Sequence, residues 1–346
     1  MRTFTVGDIR IDFPEEISFC FNPEIVKISN SSNTSLIEVW NGERAIYINA
    51  EPFNGVAYVN ISDVMQLFFD ADNIFESSTG KKIDVFIRQN GEILYSFITF
   101  CMWGSIGVGE RFNGSIDLVW YKNLPFTVSF YTSSGGEIWK NEDGKGYIGV
   151  NGNTPQMVYN IDPATLFSPS RYGTIWIKTS EPSVSVFDLS FDYTFLGIDP
   201  SDIFIKLIPE ECTEGIYLRW IDKHGFIRYY LFKVSDITNT TSNKGEELQF
   251  DFHAAGRIFS GMSRQQSKEF VKSYKLHVPL VDKDKFDFLE GAYSSPIVDY
   301  YAGKDDSGND VWCPVNVQVG SLVRTQKHLQ DFTMVVNYPK SIMQNN

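Results

Sequence analysis

The side chains able to do chemistry in this chain are few and scattered. There are four histidines, His224, His253, His277 and His328, and none stands at an HxH, HExxH or HxxxH spacing that would aim two imidazoles at one metal ion. His224 alone has close acidic company, in the stretch EGIYLRWIDKHGFIRYYLFKVS, Glu214 to Ser235. There Asp222, Lys223, His224 and Gly225 form a polar tip between two aromatic arms. An imidazole beside a carboxylate is the beginning of a general base, but no nucleophile accompanies it and no GxSxG elbow occurs.

The acids give no stronger signal. Glu210-Glu211 and Asp305-Asp306 are adjacent pairs, which in a strand point their carboxylates to opposite faces and so make no acid–base couple. DKDKFDFLEG, with Asp282, Asp284 and Asp287, resembles a calcium loop only superficially, since position five is Phe286 and position six, where the loop needs glycine, is Asp287; acids at a helix start explain the pattern. In WGSIGVGERF, Gly104, Gly107 and Gly109 fit neither phosphate-binding fingerprint and read as a turning loop. The four cysteines, Cys20, Cys101, Cys212 and Cys313, form no CxxC pair and lie in apolar, strand-like sequence, the setting of reduced, buried thiols. The residues thus point to no enzyme, no catalytic or metal site and no cofactor.

The elements that carry these residues are mostly strands. The 346 residues include 28 Phe and 17 Tyr, an aromatic content of 15%, and with many Val, Ile and Thr this favours an all-β chain with a few short helices. Three segments are expected: 1–111 and 199–346, each a β-domain with one short helix, and a middle β region, 112–198. In the first, Ile17–Phe21, Ile25–Ile28, Leu36–Trp40, Ala45–Asn49 and Val56–Asn60 read as strands. Asn41-Gly42 and Asn90-Gly91 mark hairpins. Ser62 is placed to cap a helix burying Val64, Leu67 and Phe68. In the third segment, KSYKLHVPL reads as a strand, Asp282 as the cap of a helix burying Phe286 and Leu289, Lys304 to Asp310 as a hairpin tip, and DFTMVVNYP as a last strand. In the middle region DPATLF reads as one helical turn. The first and third segments share the order strand, capped helix, hairpin, strand, without sharing residues.

A formal net charge of −13 opposes nucleic-acid binding through a basic groove. No apolar run approaches the roughly 20 residues of a helical membrane span. The start, MRTFTVGDIRIDFPEE, alternates and lacks the pattern of a secretion signal.

Two stretches resemble tail proteins of phages that infect Bacteroidota, including crAss-like phages. One is a strand entry of the form W-Y/F-x-N-x-PF, here Trp120, Tyr121, Asn123, Pro125 and Phe126. The other is a YLRWI-x-x-x-G-x-x-x-Y-x-LF hairpin, here Tyr217, Leu218, Arg219, Trp220, Ile221, Gly225, Tyr229, Leu231 and Phe232. The closing third is similar to the strand–helix–hairpin domain of tail-tube, hub and distal-tail proteins. The resemblance implies two related tail-tube-like β-domains and a virion component made in the host cytoplasm. It would form a ring of copies of itself, contact other tail proteins, and meet DNA only as cargo passing through a channel.

In the hairpin, alternation sets Ile216, Leu218 and Trp220 on one face and Tyr217, Arg219 and Ile221 on the other. Both faces are apolar enough to be covered, one by the domain's own core and one by a neighbouring domain or subunit. This makes Tyr217, Arg219, Trp220 and Tyr229, with Trp120 and Phe126, the candidate assembly-interface residues, and His224 a polar residue at a turn. A receptor- or carbohydrate-binding β-sandwich remains an alternative, with Trp139 and Tyr147 as stacking platforms, and a glycosidase a more distant one.

Overall fold

The computed structural model describes residues 1–77, 79–106, 116–121, 123–132, 136–140, 150–151, 157–161, 175–179, 203–210, 214–244, 247–249, 263–265, 267–320, 322–325, 327–339 and 341–344. The fold is all-β, built of several largely antiparallel sheets with little helix. It divides into two units: Met1–Glu211 with Ile221–Arg228, and Cys212–Trp220 with Tyr229–Asn346. The aromatic hairpin is therefore shared, its tip counted with the first unit and its arms with the second.

The first unit begins with two sheets. One runs Arg2–Val6, Ile9–Phe13, Ile25–Ser29, Val56–Asn60, all antiparallel. The other runs Ile17–Phe19, Glu92–Met102, Gly80–Gln89, Ser35–Trp40, Ala45–Ala50, parallel only in its first pairing. Period-two burial drives both. Ile83, Val85 and Ile87 are buried while Asp84, Phe86 and Arg88 between them are partly exposed, and Val26 and Ile28 are buried in the same alternating way. Phe13 of one sheet stacks on Phe97 of the other with ring centroids 4.7 Å apart.

The helix between the sheets, Ser62–Gln66, departs from expectation. Ile61 holds the cap position without a side-chain bond, and Asn60 Oδ1 accepts from both the amide and the hydroxyl of Ser62. An Asx turn thus occupies Ser62, the residue expected to cap. The helix ends at Gln66, so the helical period does not carry on to Leu67, which is exposed, and Met65 is buried instead.

Two of the first unit's turns are two-residue Asn-Gly turns with both central residues at positive φ, Asn90-Gly91 and Asn54-Gly55, as a type I′ hairpin requires. Asn41-Gly42 differs. There Asn41 Oδ1 accepts from the amides of Glu43 and Arg44, and the Asn41 amide donates to the Arg44 carbonyl, closing a longer loop.

In the middle region Ile116–Tyr121 pairs in parallel with Ile203–Glu210, which pairs antiparallel with Ile175–Thr179. Ladder bonds therefore cross the boundary expected at residue 199, because Ile203–Glu210 completes this sheet. Gly136–Lys140 and Val150–Asn151 extend it, and Val128–Thr132 pairs separately with Met157–Ile161. The DPATLF turn lies outside the described residues.

The second unit has one sheet in the order Ile227–Phe232, Ile216–Ile221, Val298–Lys304, Asp310–Pro314, and another in the order Val234–Lys244, Ser267–Val281, Gln330–Asn337, Asn316–Val317, with Ser341–Gln344 also on the Ser267–Val281 strand. Leu218, Trp220 and Phe232 from the first sheet share one core with Leu276, Phe332 and Met334 from the second and with Phe286, Leu289 and Ala292 of the helix Lys283–Ser294. Asp282 caps that helix as expected, its carboxylate accepting from the Lys285 amide at 2.8 Å. In both units the strand before the helix belongs to one sheet and the hairpin after it to the other. Among the described residues that strand is an edge in the first unit and interior in the second, so the shared order is not a shared topology there.

Candidate assembly surface

The sequence candidates are placed almost entirely inside the chain. Trp220 is fully buried in the second unit's core, and Trp120, Phe126, Tyr217 and Tyr229 are buried as well. The expected division of hairpin faces holds. Ile216, Leu218 and Trp220 join the core. On the other face Tyr217 packs with Tyr229, Tyr301 and Trp312 at centroid separations of 5.8 to 6.3 Å. Arg219 lies 4.4 Å above the Trp312 ring and holds Asp299 through Nε and Nη2 at 3.0 and 2.9 Å. Burial pushes the Asp299 carboxyl up and Arg219 pulls it back. With Trp220 and the tyrosines covered, these aromatic residues serve folding first, and the surface open to a partner has to be sought elsewhere.

His224 is not a solvent-facing turn residue. It is 3% exposed, and its amide, like that of Phe226, donates to Asp222 Oδ1. Asp222 Oδ2 takes the Arg228 Nε at 2.7 Å and lies 3.9 Å from His224 Nδ1. Burial alone would raise the Asp222 carboxyl; the Arg228 guanidinium, His224 and the Phe226 amide together outweigh it and hold the group well below the usual carboxylate range. The tip is closed by backbone meeting backbone. A Cβ on Gly104 would fall 2.3 Å from the Lys223 carbonyl, and one on Gly225, at φ +84, 2.9 Å from the Trp103 carbonyl. The Ser105 amide donates to Lys223 at 2.7 Å. Asp222 and His224, which the sequence set side by side, thus meet in a buried turn, together with Arg228, which sequence reasoning did not single out.

His277 sits in a strand beside the Thr333 hydroxyl at 3.2 Å, and His328 is exposed; His253, Tyr147 and the Trp139 side chain lie outside the described residues. Among the described residues no group of three or more His, Cys, Asp or Glu is arranged to hold a metal ion. No helix there is long and apolar enough to cross a membrane.

Part of the exposed apolar surface lies on two strand edges that sequence reasoning did not single out. Among the described residues Ala45–Ala50 and Val56–Asn60 are each paired on one side only. Tyr47 on the first is 59% exposed, Tyr58 on the second 65%, and Phe53 between them 81%. Phe53 is held at the base of the Asn54-Gly55 turn by two backbone bonds with Val56, at 2.9 and 3.1 Å. These bonds fix the backbone at Phe53, so docking there would cost less backbone entropy than at an open loop. The sequence signal was present in PFNGV, an Asn-Gly dipeptide flanked by apolar residues.

No protein-family model and no curated protein matches the chain.

Proposed function

We propose that this protein is a structural subunit of a phage tail, a hub or ring component that associates with copies of itself and with neighbouring tail proteins. The observation that carries the assembly reading is the pair of one-sided edge strands, Ala45–Ala50 and Val56–Asn60, bearing Tyr47 and Tyr58 and joined through the exposed Phe53 turn. An open edge presents unpaired amides and carbonyls and invites another strand. Soluble chains usually blunt such edges with charge; here aromatic side chains stand on them. Edge-to-surface contact between copies is heterologous, and it closes into a ring when the rotation permits. The two sequence motifs around Trp120 and Trp220 support the phage assignment, and the charge of −13 suits a wall past which DNA must slide without sticking.

Native mass spectrometry with negative-stain imaging tests this. The expected result is rings, formed alone or on addition of neighbouring tail proteins, and their loss in a Phe53→Ser, Tyr58→Lys variant that keeps its circular dichroism. A chain that stays monomeric with every tail protein tried, and binds glycans, would move the assignment to the carbohydrate-binding alternative.

A further inference from the structure

Cys20 and Cys101, 81 positions apart in sequence, bring their sulfurs to 3.0 Å, and both are free thiols. The placement is set by strand register. In the parallel pairing of Ile17–Phe19 with Glu92–Met102, Ser18 lies opposite Cys101, and the Cys20 amide continues the ladder to the Met102 carbonyl at 3.0 Å. Side chains two apart share a face, so Ser18 and Thr99 make one side-chain contact on it, their hydroxyls 2.9 Å apart. Cys20 and Cys101 make the next. All four residues are fully buried. The register that seats the hydroxyl contact also fixes the sulfur contact, and a disulfide at about 2.0 Å needs an approach of about 1 Å.

We propose that Cys20 and Cys101 are a covalent cross-linking site that closes to a disulfide when the folded chain meets a small two-electron oxidant of the peroxide class. One sulfur attacks a peroxide oxygen, the O–O bond breaks, and a sulfenic acid forms with loss of one water. The second sulfur displaces the sulfenic oxygen, which leaves as water with the remaining thiol proton. The two thiols give up two electrons and two protons, and the peroxide is reduced to two waters. Burial restricts the site to a small oxidant, and it pushes the Cys20 thiol up so that its thiolate is scarce. The reaction is therefore slow in the closed state and accelerates when the strands open locally. The cross-link would join the Ile17–Phe19 region to the Glu92–Met102 strand and stabilise the first sheet pair by restricting the unfolded chain. The inference is independent of the assembly reading.

The full chain is treated with hydrogen peroxide, quenched, denatured, alkylated with iodoacetamide and peptide-mapped. The expected product is one linked pair of peptides, carrying Cys20 and Cys101 and lacking two hydrogens, reversed by dithiothreitol, with the thermal midpoint of the oxidised protein raised by several degrees. Cys101→Ser should give neither the linked pair nor the rise. Recovery of both cysteines alkylated, or their separate conversion to sulfinic acid, would overturn the proposal, as would an equal rise in the Cys101→Ser variant.

Discussion

A methyl group at position 291 would stand 3.1 Å from the indole Nε1 of Trp220. The fully buried ring therefore rests against a helix turn that carries no side chain. A glycine inside the helix Lys283–Ser294 costs about 1 kcal/mol in propensity, and the close seat of Trp220 is the compensation. Gly291→Ala should destabilise the protein by about 1–3 kcal/mol despite the better helix former, read as a lower urea midpoint. Among the described residues the buried Nε1 has no hydrogen-bond partner, so Trp220→Phe should cost much less than the roughly 3–5 kcal/mol of Trp220→Ala. Equal losses for the two would contradict this geometry.

The tip of the aromatic hairpin gives a second prediction. Asp222 and the almost fully buried Arg228 are paired at 2.7 Å, and Asp222→Asn leaves the guanidinium without its counter-charge. A loss of about 3–5 kcal/mol is expected. Adding Arg228→Met should recover a substantial part of it, because the double variant buries no charge. A double variant as unstable as the single one would show that the backbone bonds to Asp222, not the ion pair, hold the turn.

Glu24 sets a pH dependence. Burial raises its carboxyl from the ordinary 4.5 to about 7, against the pull of the hydrogen bond from the Phe19 amide. Between those values the folded chain binds more protons than the unfolded one, so stability falls as pH rises. The contribution is fully present below the ordinary carboxylate value and is lost as pH climbs through about 7. Glu24→Gln keeps an acceptor for the Phe19 amide and should flatten this slope, raising stability at pH 8 by about 1–3 kcal/mol. Thermal midpoints at pH 5 and pH 8 for both proteins check it.

The edge strands give a fourth. Tyr58→Lys places a charge on the open Val56–Asn60 strand, a substitution that natural edges use against strand addition. Tyr58 is 65% exposed but lies opposite Lys27, whose ammonium sits over its ring, so the monomer should lose about 1 kcal/mol at most while self-association weakens. Sedimentation velocity over a concentration series separates the two effects. Unchanged association would place the interface on another surface.

Much of the architecture was legible in order because strand periodicity and turn chemistry act locally. Asn90-Gly91 forms its hairpin, Asp282 caps its helix, and the parity of Ile216, Leu218 and Trp220 against Tyr217 and Arg219 assigns the hairpin faces correctly. The helix after Val56–Asn60 misled, since its period breaks after one turn and Leu67 swings out to solvent. Residues singled out for an interface because they are aromatic proved to be covered within the chain, while Phe53, in a plain Asn-Gly turn, is exposed. Hydrophobicity signals a need for cover and does not say whether the cover comes from the chain itself or from another molecule.

The sequence by itself determined the all-β class, the placing of most strands and the negative charge, because each depends on neighbours a few residues away or on simple addition. Only the tertiary structure decided which strands pair, and with pairing came everything that joins distant positions. Examples are Ile116–Tyr121 beside Ile203–Glu210, Gly104 against the tip at Lys223, Trp220 on Gly291, and the sulfurs of Cys20 and Cys101 in contact. Register between strands far apart in the chain is fixed by packing both faces of a sheet at once, a condition that no local window contains.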